Sequence, residues 1–167
     1  MSDPTFNIPL PADGYAGTAP TDQAAQEAQF YGEDIWFDIS VNDPTTQRPD
    51  YVVTAAGDWA VATGLQALRQ ALLRRLITNP GEWQTLPNFG VGAQQYAKAL
   101  NTAANQAELE GRIRQQFMQD DRVESVSQVT MTPLEGTDDG IMLTVFVVAA
   151  GRLRQDKPIP VQLLLTK

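Results

Sequence analysis

The chain has 167 residues, with 12 basic and 20 acidic side chains and a formal net charge of −8. It has no cysteine and no histidine, which excludes disulfides, thiol nucleophiles, the usual zinc ligand sets and any Ser-His or Cys-His relay. Nine acids and one arginine, Arg48, fall in residues 1–50, whereas residues 51–167 hold eleven of each sign; an acidic chain without a basic stripe is a poor match to nucleic-acid phosphates.

The size is that of one compact domain with a tail, able to build a core without a disulfide or metal staple. No run approaches ~18 apolar residues, so no membrane-spanning helix is expected. The opening Met-Ser-Asp-Pro has neither a basic nor an apolar signal region, so no secretory leader is expected. Residues 1–29 carry Pro4, Pro9, Pro11 and Pro20, and their few large apolar groups cannot offset the entropy of ordering them. Residues 1–33 therefore read as an extended acidic arm, with a short helix over Asp22–Gln29, and 34–167 as the domain. The arm is either a solvated tail or a docking segment whose Phe6, Ile8 and Leu10 alternate along it.

Ile35–Val41 reads as a strand, with Ile35, Phe37, Ile39 and Val41 on one face, and residues 44–50 as an exposed loop. Tyr51-Val52-Val53 and Trp59-Ala60-Val61 are extended runs about a Gly57-Asp58 turn. From Gly64 a helix is set by Leu65, Leu68, Leu72 and Leu76, joined by Leu73 and Ile77. Arg74 and Arg75 suit its C-terminus, and Asn79-Pro80-Gly81 stops it. Glu82–Pro87 reads as extended, Asn88–Gly92 as a turn and Ala93–Leu100 as a short helix. Ala104–Gln119 is a second amphipathic helix with Leu109, Ile113, Phe117 and Met118 on its apolar side, weakened by Gly111 by ~1 kcal/mol. Three strands finish the chain. In Val123–Thr132 one face holds Val123, Ser125, Ser127, Val129 and Met131. A turn over residues 135–140 leads to Ile141–Ala149. Ile159–Leu165 follows, with Pro158 and Pro160 marking an edge or an entry.

Two runs carry a family resemblance: Ile77-Thr78-Asn79-Pro80-Gly81-Glu82 after the leucine-rich helix, then Leu86-Pro87-Asn88-Phe89-Gly90. Together they resemble the Gly-Glu…Pro-x-Phe-Gly signature of the gene-twenty-five-like baseplate family, the sheath initiators of contractile phage tails and related injection machines. A helix ending in Glu-Pro-Arg-hydrophobic and then strands follow in that family; here the helix ends in Asp120-Asp121-Arg122-Val123. Asp120 replaces the family's glutamate and Asp121 its proline, so the acid–x–arginine chemistry is kept and the rigid turn is not. The resemblance covers roughly Asp58 to the C-terminus.

The family has carried a lysozyme label, but glycoside hydrolysis needs two carboxylates about 5–9.5 Å apart, and Glu82 has no visible partner. Glu82, with Gly81, Pro87, Phe89 and Gly90, fits a fixed turn with an aromatic plug, in which Glu82 bonds a backbone amide or an arginine. Arg122 can clamp a partner's carboxylate through its two-pronged guanidinium, or pair internally with Asp120 or Glu124. The two apolar C-terminal strands can template another chain's strand at an exposed edge or simply build the core.

The expected fold is α+β, a mostly antiparallel C-terminal sheet packed against two main helices, with an extended N-terminal arm. The expected function is structural and non-enzymatic, with no cofactor and no metal. The resemblance implies a baseplate component that docks on the wedge through Asp120, Asp121 and Arg122. It also implies sheath nucleation by strand addition at the strand carrying Ile159, Val161, Leu163 and Leu165. Its implied partners are the sheath protein, wedge proteins and tube or hub proteins, with several copies per baseplate and neither nucleic acid nor membrane. It places the chain in a virion tail or in an injection particle assembled in the cytoplasm. The alternatives are a peptidoglycan hydrolase of the tail-lysozyme kind and a soluble regulatory adaptor of the same fold.

Overall fold

The computed structural model describes residues 22–38, 50–97, 102–134, 140–151 and 158–166. Outside them lie the arm before residue 22, positions 39–41 of the first expected strand, the loop at 44–49, the end of the expected Ala93–Leu100 helix and most of the turn at 135–140. The chain forms two compact units, one ending at Ala67 and the other starting at Leu68.

The first unit holds helix α1 (Asp22–Tyr31) and four short strands, β1 (Glu33–Ile35), β2 (Phe37–Asp38), β3 (Asp50–Tyr51) and β4 (Val61–Thr63). The helix runs two residues past the expected Gln29, and Tyr31 at its end is buried. β1 pairs antiparallel with β4, and β2 with β3. Trp36 joins the pairs: its N–H donates to Ala60 O at 2.7 Å and its carbonyl accepts from Val52 N–H at 3.0 Å. The extended runs around the Gly57 turn meet at a Val53–Trp59 bridge. Ala60 and Ala62 point inward at 1% and 0% exposure.

Helix α2 (Leu65–Ile77) begins at the close of the first unit and continues into the second. The second unit adds α3 (Ala93–Tyr96), α4 (Ala103–Phe117) and a three-stranded antiparallel sheet ordered β5 (Val123–Pro133), β6 (Gly140–Ala149), β7 (Ile159–Thr166). Leu68, Leu72 and Leu76, four residues apart, are buried, and Leu65, three residues before Leu68, is half buried. Thr102 caps α4, its hydroxyl accepting Asn105 N–H at 3.3 Å. Leu109, Ile113 and Phe117 are fully buried, but Met118, expected beside them, is half exposed because α4 ends at Phe117. The architecture is α+β, with the antiparallel sheet packed against helices.

Two further sequence expectations need correction. Glu82–Pro87 is not extended but a series of tight turns, closed by Leu86 N–H to Trp83 O and Gly81 N–H to Pro87 O. In β5 the buried face is Val123 and Val126, followed by half-buried Val129 and Met131, while Ser125 and Ser127 are exposed. The reason is two irregularities in register, between Val123 and Ser125 and between Val126 and Gln128. Each inserts one extra residue opposite β6, and an inserted residue shifts every later side chain to the other parity. Regular alternation holds in β7, where Ile159, Val161 and Leu165 are buried and Pro160, Gln162 and Leu164 exposed.

Candidate docking site

The turn after α2 is held from three sides. Thr78 N–H still bonds Arg74 O, but Pro80 cannot extend the ladder, and the chain reverses. Glu82 Oε2 accepts Asn79 N–H at 2.9 Å, so this carboxylate serves the turn itself. Gly90 adopts φ +100°, and a Cβ there would lie 2.2 Å from Thr78 O; no other residue fits. Gly92 N–H then donates to Thr78 O and Val91 N–H to Arg75 O, both at 2.8 Å.

The third support is Gln116, which the sequence reading missed. Its side chain is buried, its Oε1 accepts Gly90 N–H at 3.0 Å, and its Nε2 donates to Asn88 O at 2.9 Å. A glutamine late in an amphipathic helix, 26 residues from the glycine it serves, gives no local sequence signal. Arg75 Nη1 also donates to the Gln116 carbonyl, at 3.4 Å.

At the end of α4 the chain places Asp120 and Arg122 face to face. Arg122 Nε donates to Asp120 Oδ1 and Nη2 to Oδ2, both at 2.8 Å, and Arg122 N–H adds a third bond to Oδ1 at 3.2 Å. Asp120 is 7% exposed and Arg122 28%. Arg75 Nη2 stands 3.8 Å from Asp120 Oδ2. Burial alone would raise the Asp120 pKa, but the Arg122 hydrogen bonds and charge, with Arg75 behind them, outweigh it and hold the carboxyl below its usual range. The bond to Asp120 correspondingly raises Arg122.

Around this pair lies a half-open cleft of about 210 Å³, lined by Ala71, Arg74, Arg75, Trp83, Phe89, Asp120 and Arg122. Trp83 and Phe89 stack at 5.5 Å, and the Arg75 guanidinium sits 4.8 Å from the Phe89 ring centre. Arg122 and Arg75 thus flank the one carboxylate, and Arg74 lines the same cleft. Burial lowers the pKa of Arg74, and the Arg122 charge lowers it further; burial also lowers that of Arg75, where Asp120 opposes the shift and Arg122 adds to it. The arrangement can hold an acidic group against an aromatic wall. Its lining holds one carboxylate, Asp120, where glycoside hydrolysis uses a pair.

Of the sequence-predicted docking trio, Asp120 and Arg122 line the cleft; Asp121 is exposed and does not. Of the turn residues, Phe89 lines it, while Gly81, Glu82, Pro87 and Gly90 build the turn that carries Trp83 and Phe89. The β7 residues Ile159, Val161 and Leu165 point into the core and Leu163 is half buried, so what β7 offers a neighbour is backbone. β7 is an edge strand, paired among the described residues with β6 alone. Gln94 Nε2 reaches its end, donating to Thr166 O at 2.7 Å.

A family model for the contractile injection system sheath initiator matches residues 41–148. The chain belongs to the sheath-initiator family. Sheath initiators are structural parts of contractile tails, and membership makes this chain one such part. A crystal structure from Geobacter sulfurreducens, provisionally called a tail lysozyme, is similar at a TM-score of 0.49, with 16% identity, covering 71% of this chain and 98% of that one. No curated protein matches. Among the described residues no helix is long and apolar enough to cross a membrane.

Proposed function

We propose that this sheath-initiator family member starts sheath polymerisation by offering the β7 edge to a strand of the first sheath ring. The observation that carries this reading is that β7, paired among the described residues with β6 alone, is an edge strand of an antiparallel sheet whose inner face is already filled. A backbone edge of this kind pairs with an incoming strand without disturbing the core. Docking on the wedge falls to the arginine cleft. Its arginine lining beside stacked aromatics receives an acidic side chain of a wedge protein, and the Asp120–Arg122 pair fixes the cleft's shape. Several copies per baseplate then present β7 edges in a ring. No catalytic step enters this account.

The test uses Gln162→Lys with Leu164→Lys, both on the exposed face of β7. Lysines on an edge strand oppose addition of another strand and leave Ile159, Val161 and Leu165 in the core. The folded variant, expressed in place of the native protein, is expected to give baseplates with bare tubes. Normally sheathed particles would contradict the proposal. Clearing of a peptidoglycan suspension by the purified protein would favour the hydrolase alternative instead.

A further inference from the structure

The small strands of the first unit place six large apolar side chains on one face. Ile35 is paired with Val61, Phe37 with Tyr51, and Val53 with Trp59; antiparallel partners directly opposite each other project to the same side. Ala60 and Ala62, of the other parity, fill the opposite side and are buried. Ile35, Tyr51, Val53, Trp59 and Val61 are 44–55% exposed. The rings form a chain, Phe37 to Tyr51 at 5.1 Å and Tyr51 to Trp59 at 5.5 Å. The solvent side of an antiparallel sheet is ordinarily polar, and a contiguous exposed apolar patch marks an interaction surface. Tryptophan and tyrosine are the residues that most often dominate such contacts.

Charge decides the kind of partner. Residues 33–63 hold six acids (Glu33, Asp34, Asp38, Asp43, Asp50 and Asp58) and one arginine. Asp58 sits at the hairpin turn, exposed, its Oδ1 accepting Trp59 N–H at 2.8 Å. A second copy would bring the same aromatic face inside the same acidic segment, and like charges facing each other disfavour that pairing.

We infer that this aromatic face docks on a different protein of the particle, at an apolar patch bordered by lysine or arginine. The contact is independent of the β7 edge and of the arginine cleft. Specificity comes from the acidic segment, which disfavours a second copy and draws in a basic surface, while Tyr51 and Trp59 supply the buried contact.

The experiment places a photoreactive benzoyl-phenylalanine at Trp59 or Val53, with exposed Glu124 as control position, and irradiates assembled particles. Trp59 and Val53 are expected to cross-link to one other protein, at a segment holding apolar residues and lysine or arginine. Cross-links to a second copy, to residues 1–21 of the same chain, or at no more than the control level would each overturn the inference. In parallel, Tyr51→Ser with Trp59→Ser is expected to keep the isolated protein folded and to reduce its recovery in particles at least tenfold. Undiminished recovery would overturn it as well. By sedimentation the isolated protein is expected to stay monomeric at low salt; concentration-dependent dimers abolished by Trp59→Ser would identify the face as a self-contact.

Discussion

Asp120 is a buried acid whose ionisation depends on a neighbour two residues away. Its folded pKa lies below its unfolded value of about 3.9. Its contribution to stability is therefore fully present above that value and is lost as pH falls through the lower, folded one. Urea unfolding should show Asp120→Asn less stable than the native chain at pH 7, with the gap narrowing below about pH 4. Arg122→Ala should cost about 2 kcal/mol, less than the 3–5 kcal/mol of a fully buried pair, because Arg122 is partly solvated and Arg75 remains near the carboxylate. A gap that stays constant down to pH 3 would show that Asp120 is not held ionised by its arginines. Glycine makes a second contrast. Gly81 has φ +81° with open space around a would-be Cβ, so Gly81→Ala should cost only the left-handed strain, ~1–2 kcal/mol. Gly90→Ala adds a clash with Thr78 O and should lower thermal stability more than twice as far. The importance of both glycines was legible from the motif. Gln116 was not, since its partners are backbone groups that only the folded turn brings near.

At the scale of elements, the helices were the most legible part. A three-and-four leucine spacing states both that α2 is helical and which side is buried, and α4 follows the same rule through Leu109, Ile113 and Phe117. Gly111 interrupts α4 where an added Cβ would meet nothing within 4 Å. Gly111→Ala should therefore stabilise the protein by about 0.5–1 kcal/mol, measured by denaturant unfolding. β5 was harder to read because period two presumes an unbroken ladder, whereas one register irregularity moves the buried position from Val123 to Val126 and the next returns it to Val129 and Met131. The central strand β6 was recognisable from its apolar content, although its pairing partners were not. Leu143 there is fully buried, so Leu143→Ala should cost about 2–5 kcal/mol. Leu164→Ala, on the exposed side of β7, should cost under about 1 kcal/mol. Equal losses at the two positions would mean that the exposed side of the sheet is packed in the free protein.

For the whole molecule, the uneven charge seen in the sequence acquires a structural sense. The acidic excess belongs to the segment that ends with the aromatic face of the first unit, whereas the cleft of the second unit is locally cationic within a segment of zero net charge. Opposite local charges on one chain suit a subunit placed between unlike neighbours. The family was legible because its turn motif is built from glycine, proline and aromatic residues whose backbone demands are specific. The strand edge was legible only through Pro158 and Pro160, which marked an edge or an entry, because pairing leaves no mark on the other side chains that alternate above and below it. The central claim is that β7 receives a sheath strand, and a side-chain-resolution cryo-electron microscopy map of the assembled baseplate tests it most directly. The account predicts a strand of the first sheath ring running alongside Ile159–Thr166 at about 4.7–4.9 Å with a continuous hydrogen-bond ladder. A β7 edge lying open to solvent, or covered by a helix or loop, in a fully sheathed particle would contradict it.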